Sequence, residues 1–370
     1  MSNAPDLLPS TAHFALGDAP VRFAPFAIGP VPIAKPLVLA PMSGVTDTAF
    51  RQMVQEASGG AVGLLVTEFV SIEGLTRQNL KSAMRLAFDP AREHPLAIQI
   101  FGGETARMVQ AAQMAADAGA AIVDINCGCP APKVVRRGGG AELMRNCDQL
   151  EAIVAEVAKA VSIPVTVKIR AGWDHSSINA VEVARRCEAA GARAVAVHGR
   201  TRTQMYTGRA DWDLVAEVAR TVQVPVIGSG DIASPDAALG VLARSPIRGV
   251  MIGRAAIMNP WIFGQIADVA AGRPARVVTP AERVRILRLY SDLQSERMPE
   301  SVVPGRLKQV LARMTKGFSH GNLLRERAMR AQTTAEMFDW IEGFFAAIAQ
   351  GDLEAWCLRA RAAKSVQIQV

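Results

Sequence analysis

Residues 121–140 read AIVDINCGCPAPKVVRRGGG. The apolar run 121–125 is a short strand, and it ends in Asn126, Cys127, Gly128, Cys129 and Pro130 before a basic, glycine-rich loop. Glycine lets a backbone approach a ligand closely, proline stiffens the turn, and a thiol at the C-terminal end of a buried strand is placed for chemistry more than for packing. A cysteine taken alone is more often a small buried hydrophobe. The case for Cys129 therefore depends on what the rest of the chain brings to it.

Working outward, the same strand, polar turn and helix recur on both sides. Strand runs are expected at 37–40, 61–67, 95–101, 121–125, 165–169, 194–197, 226–227 and 249–252. Leu150, Ile153, Val154, Val157 and Val161 give one intervening helix its apolar stripe. Strands this short and apolar are buried on both faces, as a closed parallel sheet ringed by helices requires. Eight such units between residues 37 and 270 predict an α/β fold of the (β/α)8, or TIM-barrel, type. An open doubly wound sheet is the alternative, and the absence of a GxGxxG turn after a strand weighs against it.

Past residues 272–274 (GRP) the pattern changes to long helices at 282–297, 305–316 and 335–349, with Thr279-Pro280-Ala281-Glu282 as a capping box. The expected organisation is an N-terminal arm (1–36), a barrel (37–278), a smaller all-helical domain (279–350) and a C-terminal tail (351–370). The arm holds seven prolines and reads as extended, with a hairpin around Gly29.

Composition sets the class. Half of the 370 residues are hydrophobic, enough to bury a large core. Five cysteines without a paired pattern point to a reducing compartment, and the expected location is the cytosol. No leader or membrane-spanning run is expected, and no obligate protein partner. The net charge of +7 is concentrated at the C-terminal end, where residues 272–370 hold sixteen Lys and Arg against ten Asp and Glu. Arg306, Lys308, Arg313, Lys316, Arg325, Arg327 and Arg330 fall in one stretch with a single acid, Glu326. Such a stretch suits a phosphate-rich partner or a solvated helical face.

In a barrel, polar residues at strand ends converge on one mouth, so Gln99, Asn126, Cys129, Lys168 and His198 should meet there. Lys168 inside a strand needs an anionic partner, because a buried lone ammonium is costly. The turns Gly228-Ser229-Gly230-Asp231 and Gly253-Arg254 stand where such barrels hold a phosphate. A metal site is not expected, since CxC without a second close pair is not a zinc spacing.

APMSGVTDTAFR (40–51), QIFG (99–102), DINCGCPAPKV (124–134), VTVKIRAGW (165–173), VHGRTRTQMYTGRADW (197–212), GSGDI (228–232) and MIGRAA (251–256) together resemble the tRNA-dihydrouridine synthase family. RLKQVLARMTKG (306–317) is similar to its B-type subgroup. The resemblance implies an FMN enzyme that reduces the C5–C6 bond of uridines in tRNA, with NADPH or NADH as electron donor. It implies that Cys129 is the proton donor to C5, which requires a protonated thiol. It places Pro41, Met42, Ser43, Gln99, Lys168, His198, Ser229, Gly230, Asp231, Gly253 and Arg254 around FMN, with Lys168 at the N1/O2 edge. Asn126, Arg170, Arg200 and Arg202 would meet the substrate, and Arg306, Lys308, Arg313, Lys316, Arg325 and Arg327 the tRNA. Ser229 stands where the family usually has Asn, and Cys127 where an apolar residue is usual. A small-molecule flavin oxidoreductase and a non-catalytic RNA-binding protein are the competing readings.

Overall fold

The computed structural model describes residues 23–366, which fold into two compact units. Residues 1–22 of the expected arm and 367–370 of the expected tail lie outside the described residues.

The first unit opens with a hairpin. Strands β1 (Phe26–Ile28) and β2 (Val31–Ile33) pair antiparallel, and Gly29 turns the chain with φ +56°, a value that suits glycine. Then follow β3 (Leu37–Leu39), β4 (Leu64–Val66), the two-residue β5 (Val70–Ser71), β6 (Leu96–Phe101), β7 (Ile122–Asn126), β8 (Val165–Arg170), β9 (Ala194–His198), β10 (Val226–Ser229) and β11 (Gly249–Ile252). All the pairings from β3 onward are parallel; β5 pairs with β6 alone, and the other eight strands form a ring that β11 closes onto β3. This is the expected barrel.

The strands are buried along nearly their whole length, and the helices pack around them. Asp47 caps the helix Thr48–Ala57, with Oδ1 accepting from the Phe50 N–H at 2.9 Å. Thr46 is buried, and its Oγ1 accepts from the Met42 N–H. In Cys147–Ala160 the stripe Leu150, Ile153, Val154 and Val157 is buried as read from the sequence.

Inside the barrel the residues are small where strands crowd, among them Ala97, Ala194 and Ala196, and the hairpin fills the space this leaves. Phe26, Ile28 and Ile33 join Val38, Leu64, Val66, Ile122, Ile227 and Met251 in one apolar cluster. The hairpin thus serves as an apolar plug.

The second unit comprises Arg254–Trp261 together with the chain from Arg276 onward. The expected boundary at 278/279 is therefore corrected: the chain enters this unit at Arg254, returns to the barrel unit for Ile262–Ala275, and leaves again at Arg276. Its main helices are Pro280–Ser295, Val303–Met314, Gly321–Arg330, Thr334–Gln350 and Leu353–Val366. The last of these replaces the expected tail. Trp356, Cys357 and Ala360 bury one face of it, and Trp356 packs edge-on to Phe344 at 4.9 Å. Thr279 caps the first of them through the Glu282 N–H, while the Glu282 carboxylate turns to Trp261 and Arg285 and so does not close the box. No helix among the described residues is long and apolar enough to cross a membrane.

Phe26→Ala should empty the plug. The expected loss is about 3–5 kcal/mol of barrel stability, read as a lower urea midpoint with the slope unchanged.

Candidate active site

Parallel register sets the neighbours at the C-terminal mouth: Gln99 beside Asp124, Asn126 beside Lys168, and His198 beside Ser229. From Asp124 a chain of hydrogen bonds runs toward the loop after β7. Gln99 Nε2 donates to Asp124 Oδ2 at 2.5 Å, and Asn126 Nδ2 donates to Gln99 Oε1 at 2.7 Å. Asn126 Oδ1 then accepts from the backbone N–H groups of Gly128 at 3.2 Å and Cys129 at 2.9 Å. Thr166 Oγ1 donates to the other Asp124 oxygen at 2.6 Å.

These bonds fix the loop that carries the thiol. Gly140, at φ +61°, lies behind it so closely that a Cβ there would sit 2.6 Å from the Cys129 carbonyl oxygen. The rest of the glycine run packs backbone to backbone on the turn after β6: a Cβ on Gly139 would meet Gly102 Cα at 3.0 Å, and one on Gly103 would meet the Gly138 carbonyl oxygen at 2.5 Å. The run is a close-approach device between neighbouring loops.

Burial raises the pKa of the half-buried Cys129 thiol above its ordinary 9.0, against the opposing effects of the Ala131 N–H, Arg170 and Lys168. Cys129 is therefore a protonated thiol at neutral pH. Cys127 is fully buried, its Sγ faces the Ile125 carbonyl, and burial pushes its pKa up much further. It is an inert packing residue. Among the described residues no cluster of His, Cys, Asp and Glu could hold a metal ion.

Burial, then the neighbouring Arg170 charge, lowers Lys168 from the ordinary 10.5 to about 8, while Asp124 and Cys129 pull the other way. No described residue accepts a hydrogen bond from its Nζ. An ammonium with little water and no acceptor is poised for an electron-rich ligand atom. Across the mouth, the turn after β10 takes Gly230 to φ +131° and Asp231 to φ +55°, and the turn after β11 leaves space at Gly253, where a Cβ would come no nearer than 3.5 Å to Met42 Sδ.

A family model described as "Dihydrouridine synthase (Dus)" matches residues 38–348. The chain belongs to the dihydrouridine synthase family. It is 44% identical over 243 residues to tRNA-dihydrouridine synthase B of Pseudomonas aeruginosa, covering 65% of this chain and 71% of that protein. Against tRNA-dihydrouridine synthase B of Pseudomonas putida the identity is 43% over 280 residues, covering 73% and 82%. Among solved structures, a 2-naphthoyl-CoA reductase complex superposes with a TM-score of 0.52 at 15% identity, over 68% of this chain and 52% of that one. At that identity the likeness concerns the fold alone, and the chain spans about half the length of that protein.

Within this family member several expected contacts are corrected. Arg170 and Arg200 do not line an entrance, because both are buried and committed to protein acceptors. Arg170 donates to the carbonyls of Gly128 at 2.8 Å, Thr201 at 2.8 Å and Met205 at 3.0 Å. Arg200 clasps both oxygens of Asp231 at 2.7 and 2.8 Å and also reaches the carbonyls of Thr207 and Gly208. Asp231 is thus a loop anchor, and its second oxygen also accepts from the Ala210 N–H. Gln99 and Asn126 are buried with both ends of each amide bonded, so they hold the thiol loop. His198 Nε2 lies 3.4 Å from Arg200 Nη1, and because a guanidinium can only donate, the imidazole nitrogen is the acceptor in any hydrogen bond between them. Arg254 begins the helix Arg254–Met258 and is grouped with the helical unit. Pro41 and Met42 are half-buried and Ser43 is exposed.

At the rim, Arg202 and Arg145 each lie 4.7 Å from the centre of the Trp173 ring, and Tyr206 is largely exposed. Sequence reading passed over Arg145, Trp173, Asp124 and Thr166. A polar residue in an apolar strand, the signal used for Gln99 and Lys168, was equally present at Asp124 and Thr166.

Lys168→Met gives a signed test. The folded-state pKa lies below the unfolded one, so the wild type gains stability as pH rises from about 8 to 10.5. The methionine variant should be the more stable of the two at pH 7 in ligand-free protein, and that margin should shrink by pH 10. Equal margins in denaturant titrations at both pH values would place the ammonium in water.

Proposed function

We propose that this chain reduces uridine in tRNA to 5,6-dihydrouridine, with FMN held at the barrel mouth and NADPH or NADH supplying the electrons. The observation that carries this reading is a protonated, half-buried thiol held on a rigid loop at the mouth from which the Lys168 ammonium projects without an acceptor.

The residues suit the cofactor. Lys168 would meet the N1/O2 edge of an isoalloxazine ring and balance negative charge there. Backbone around Ser229, Gly230 and Gly253 would receive the phosphate, with Met42 beside the ring. When bound, the flavin supplies the hydride that goes to C6 of the uracil. Negative charge then gathers on C5 and the C4 oxygen, and Cys129 Sγ–H gives its proton to C5. Depressing the thiol pKa would defeat that role, and the burial of Cys129 works in the required direction. His198, buried beside Arg200 at the strand end, can face the uracil.

A uridine in folded tRNA has to leave its stack to reach the mouth. Arg202 and Arg145, oriented on Trp173, and the exposed Tyr206 offer cationic and stacking contacts at the rim. In the helical unit the six cations expected on tRNA divide. Lys308 donates to the carbonyls of Met329 and Ala331, Arg325 to Thr315, and Arg327 is buried 5.7 Å from the Trp340 ring, so these three serve the fold. Arg313 and Lys316 are exposed, and Arg306 is half-exposed.

Purified protein with NADPH should introduce dihydrouridine at defined positions of tRNA that lacks it. Cys129→Ala should keep the flavin spectrum and lose at least about 100-fold in product formation; product at the wild-type rate would remove Cys129 from the mechanism. Preference for free uridine would favour the small-molecule reading, and a colourless protein the non-catalytic one. Arg313→Ala with Lys316→Ala should weaken tRNA binding and lower its logarithmic salt slope by roughly 1.5. An unchanged slope would take RNA away from that face.

A further inference from the structure

Asp124 sits one strand pair behind the mouth, 4% exposed, on the floor of the site, and the reaction as derived above makes no use of it. Its two oxygens are both taken, one by Gln99 and the other by Thr166. A carboxylate can only accept, and that single property sets the polarity of the bonds beyond it. Because Asp124 accepts, Gln99 must present its NH2 downward and its Oε1 toward Asn126; because Oε1 accepts, Asn126 must present its NH2 to Gln99 and its Oδ1 to the Gly128 and Cys129 N–H groups.

The oxygen and nitrogen of an amide are nearly the same size, so Gln99 and Asn126 have no steric reason to choose this direction. If both amides turned over, the Asn126 NH2 would confront two backbone N–H groups. The thiol loop would lose the two bonds that hold it from below.

We propose that Asp124 is a positioning residue for Cys129, fixing through the Gln99 and Asn126 amides the place of the loop that presents the thiol. Burial raises its pKa above the usual carboxylate range, with the Thr166 and Gln99 bonds and the Lys168 charge opposing. The acceptor role survives protonation, since a protonated Asp124 could donate to Thr166 and still accept from Gln99. The inference rests on the reading of Cys129 as the proton donor, and its test has a measurement that does not.

Three proteins are compared as holoenzymes: wild type, Asp124→Ala and Asp124→Asn. Asparagine can keep an oxygen on Gln99 while its NH2 donates to the Thr166 hydroxyl, so it preserves the polarity that alanine abolishes. Asp124→Ala should lose about 100-fold in kcat, the scale of a misplacement of about 1 Å, with flavin content and KM for tRNA little changed. Asp124→Asn should restore most of kcat. Independently of tRNA, iodoacetamide labelling of the Cys129 peptide, followed by mass spectrometry, should be several-fold altered in the alanine variant and wild-type in the asparagine variant. Should Asp124→Ala not fold, Gln99→Met breaks the same chain at its second member and should give the same labelling change. Wild-type labelling in a folded Asp124→Ala or Gln99→Met protein overturns the proposal. So does equal loss of kcat in the alanine and asparagine variants, which would assign Asp124 a role through its charge. A labelling change as expected, with Cys129→Ala still fully active, would instead retire Cys129 as the proton donor and leave the positioning intact.

Discussion

Closure of β11 onto β3, through Val250 with Leu37, Met251 with Val38 and Ile252 with Leu39, is the constraint on which the site depends. A parallel sheet that closes on itself has no edge and sends all its strand ends the same way. Residues separated by more than a hundred positions, such as Gln99 and Ser229, thereby come to one opening without any loop having to reach across. The same closure leaves a second opening with no polar work to do. The hairpin carrying Phe26, Ile28 and Ile33 seals it with apolar side chains, which keeps water from the interior on which the shifts at Asp124 and Lys168 depend.

Desolvation then sorts the cations. Arg170 and Arg200 are nearly inaccessible, a costly state for a guanidinium unless its donors meet oxygens. Each meets several, mostly carbonyls of residues 201–208, so the loop after β9 is wrapped around two guanidiniums. Lysine cannot replace them there, because its single point charge lacks the planar fork. Lys168 is the contrary case. Its ammonium meets no such acceptor among the described residues, and burial together with the Arg170 charge lowers its pKa.

The barrel, its strand positions and the convergence of polar strand ends were legible in the sequence because short, doubly buried strands leave a pattern that few other folds share. What each of those polar residues bonds to was not. HGRTR carries three cationic or titratable residues in a row of five, and nothing in that string says that Arg200 turns to Asp231 while Arg202 lies over Trp173. Likewise the basic stretch of the helical unit reads as one patch. Only packing separates Lys308, which caps a helix end, from Lys316, which is exposed. The 254–261 segment could not be assigned from composition, since its apolar content suits either unit.

That segment has a consequence for how such a protein can be rearranged. Because the chain visits the helical unit at Arg254–Trp261, goes back for Ile262–Ala275 and then departs, neither unit is a continuous piece of polypeptide. A single gene junction could not have appended the helices to a finished barrel, nor could one cut release them with their packing complete. Recombination that exchanges the helical unit between relatives needs three crossovers, one before Arg254 and one on either side of a fourteen-residue insert that stays with the barrel. The two units are therefore expected to be inherited together, and changes of specificity to arise by substitution within them.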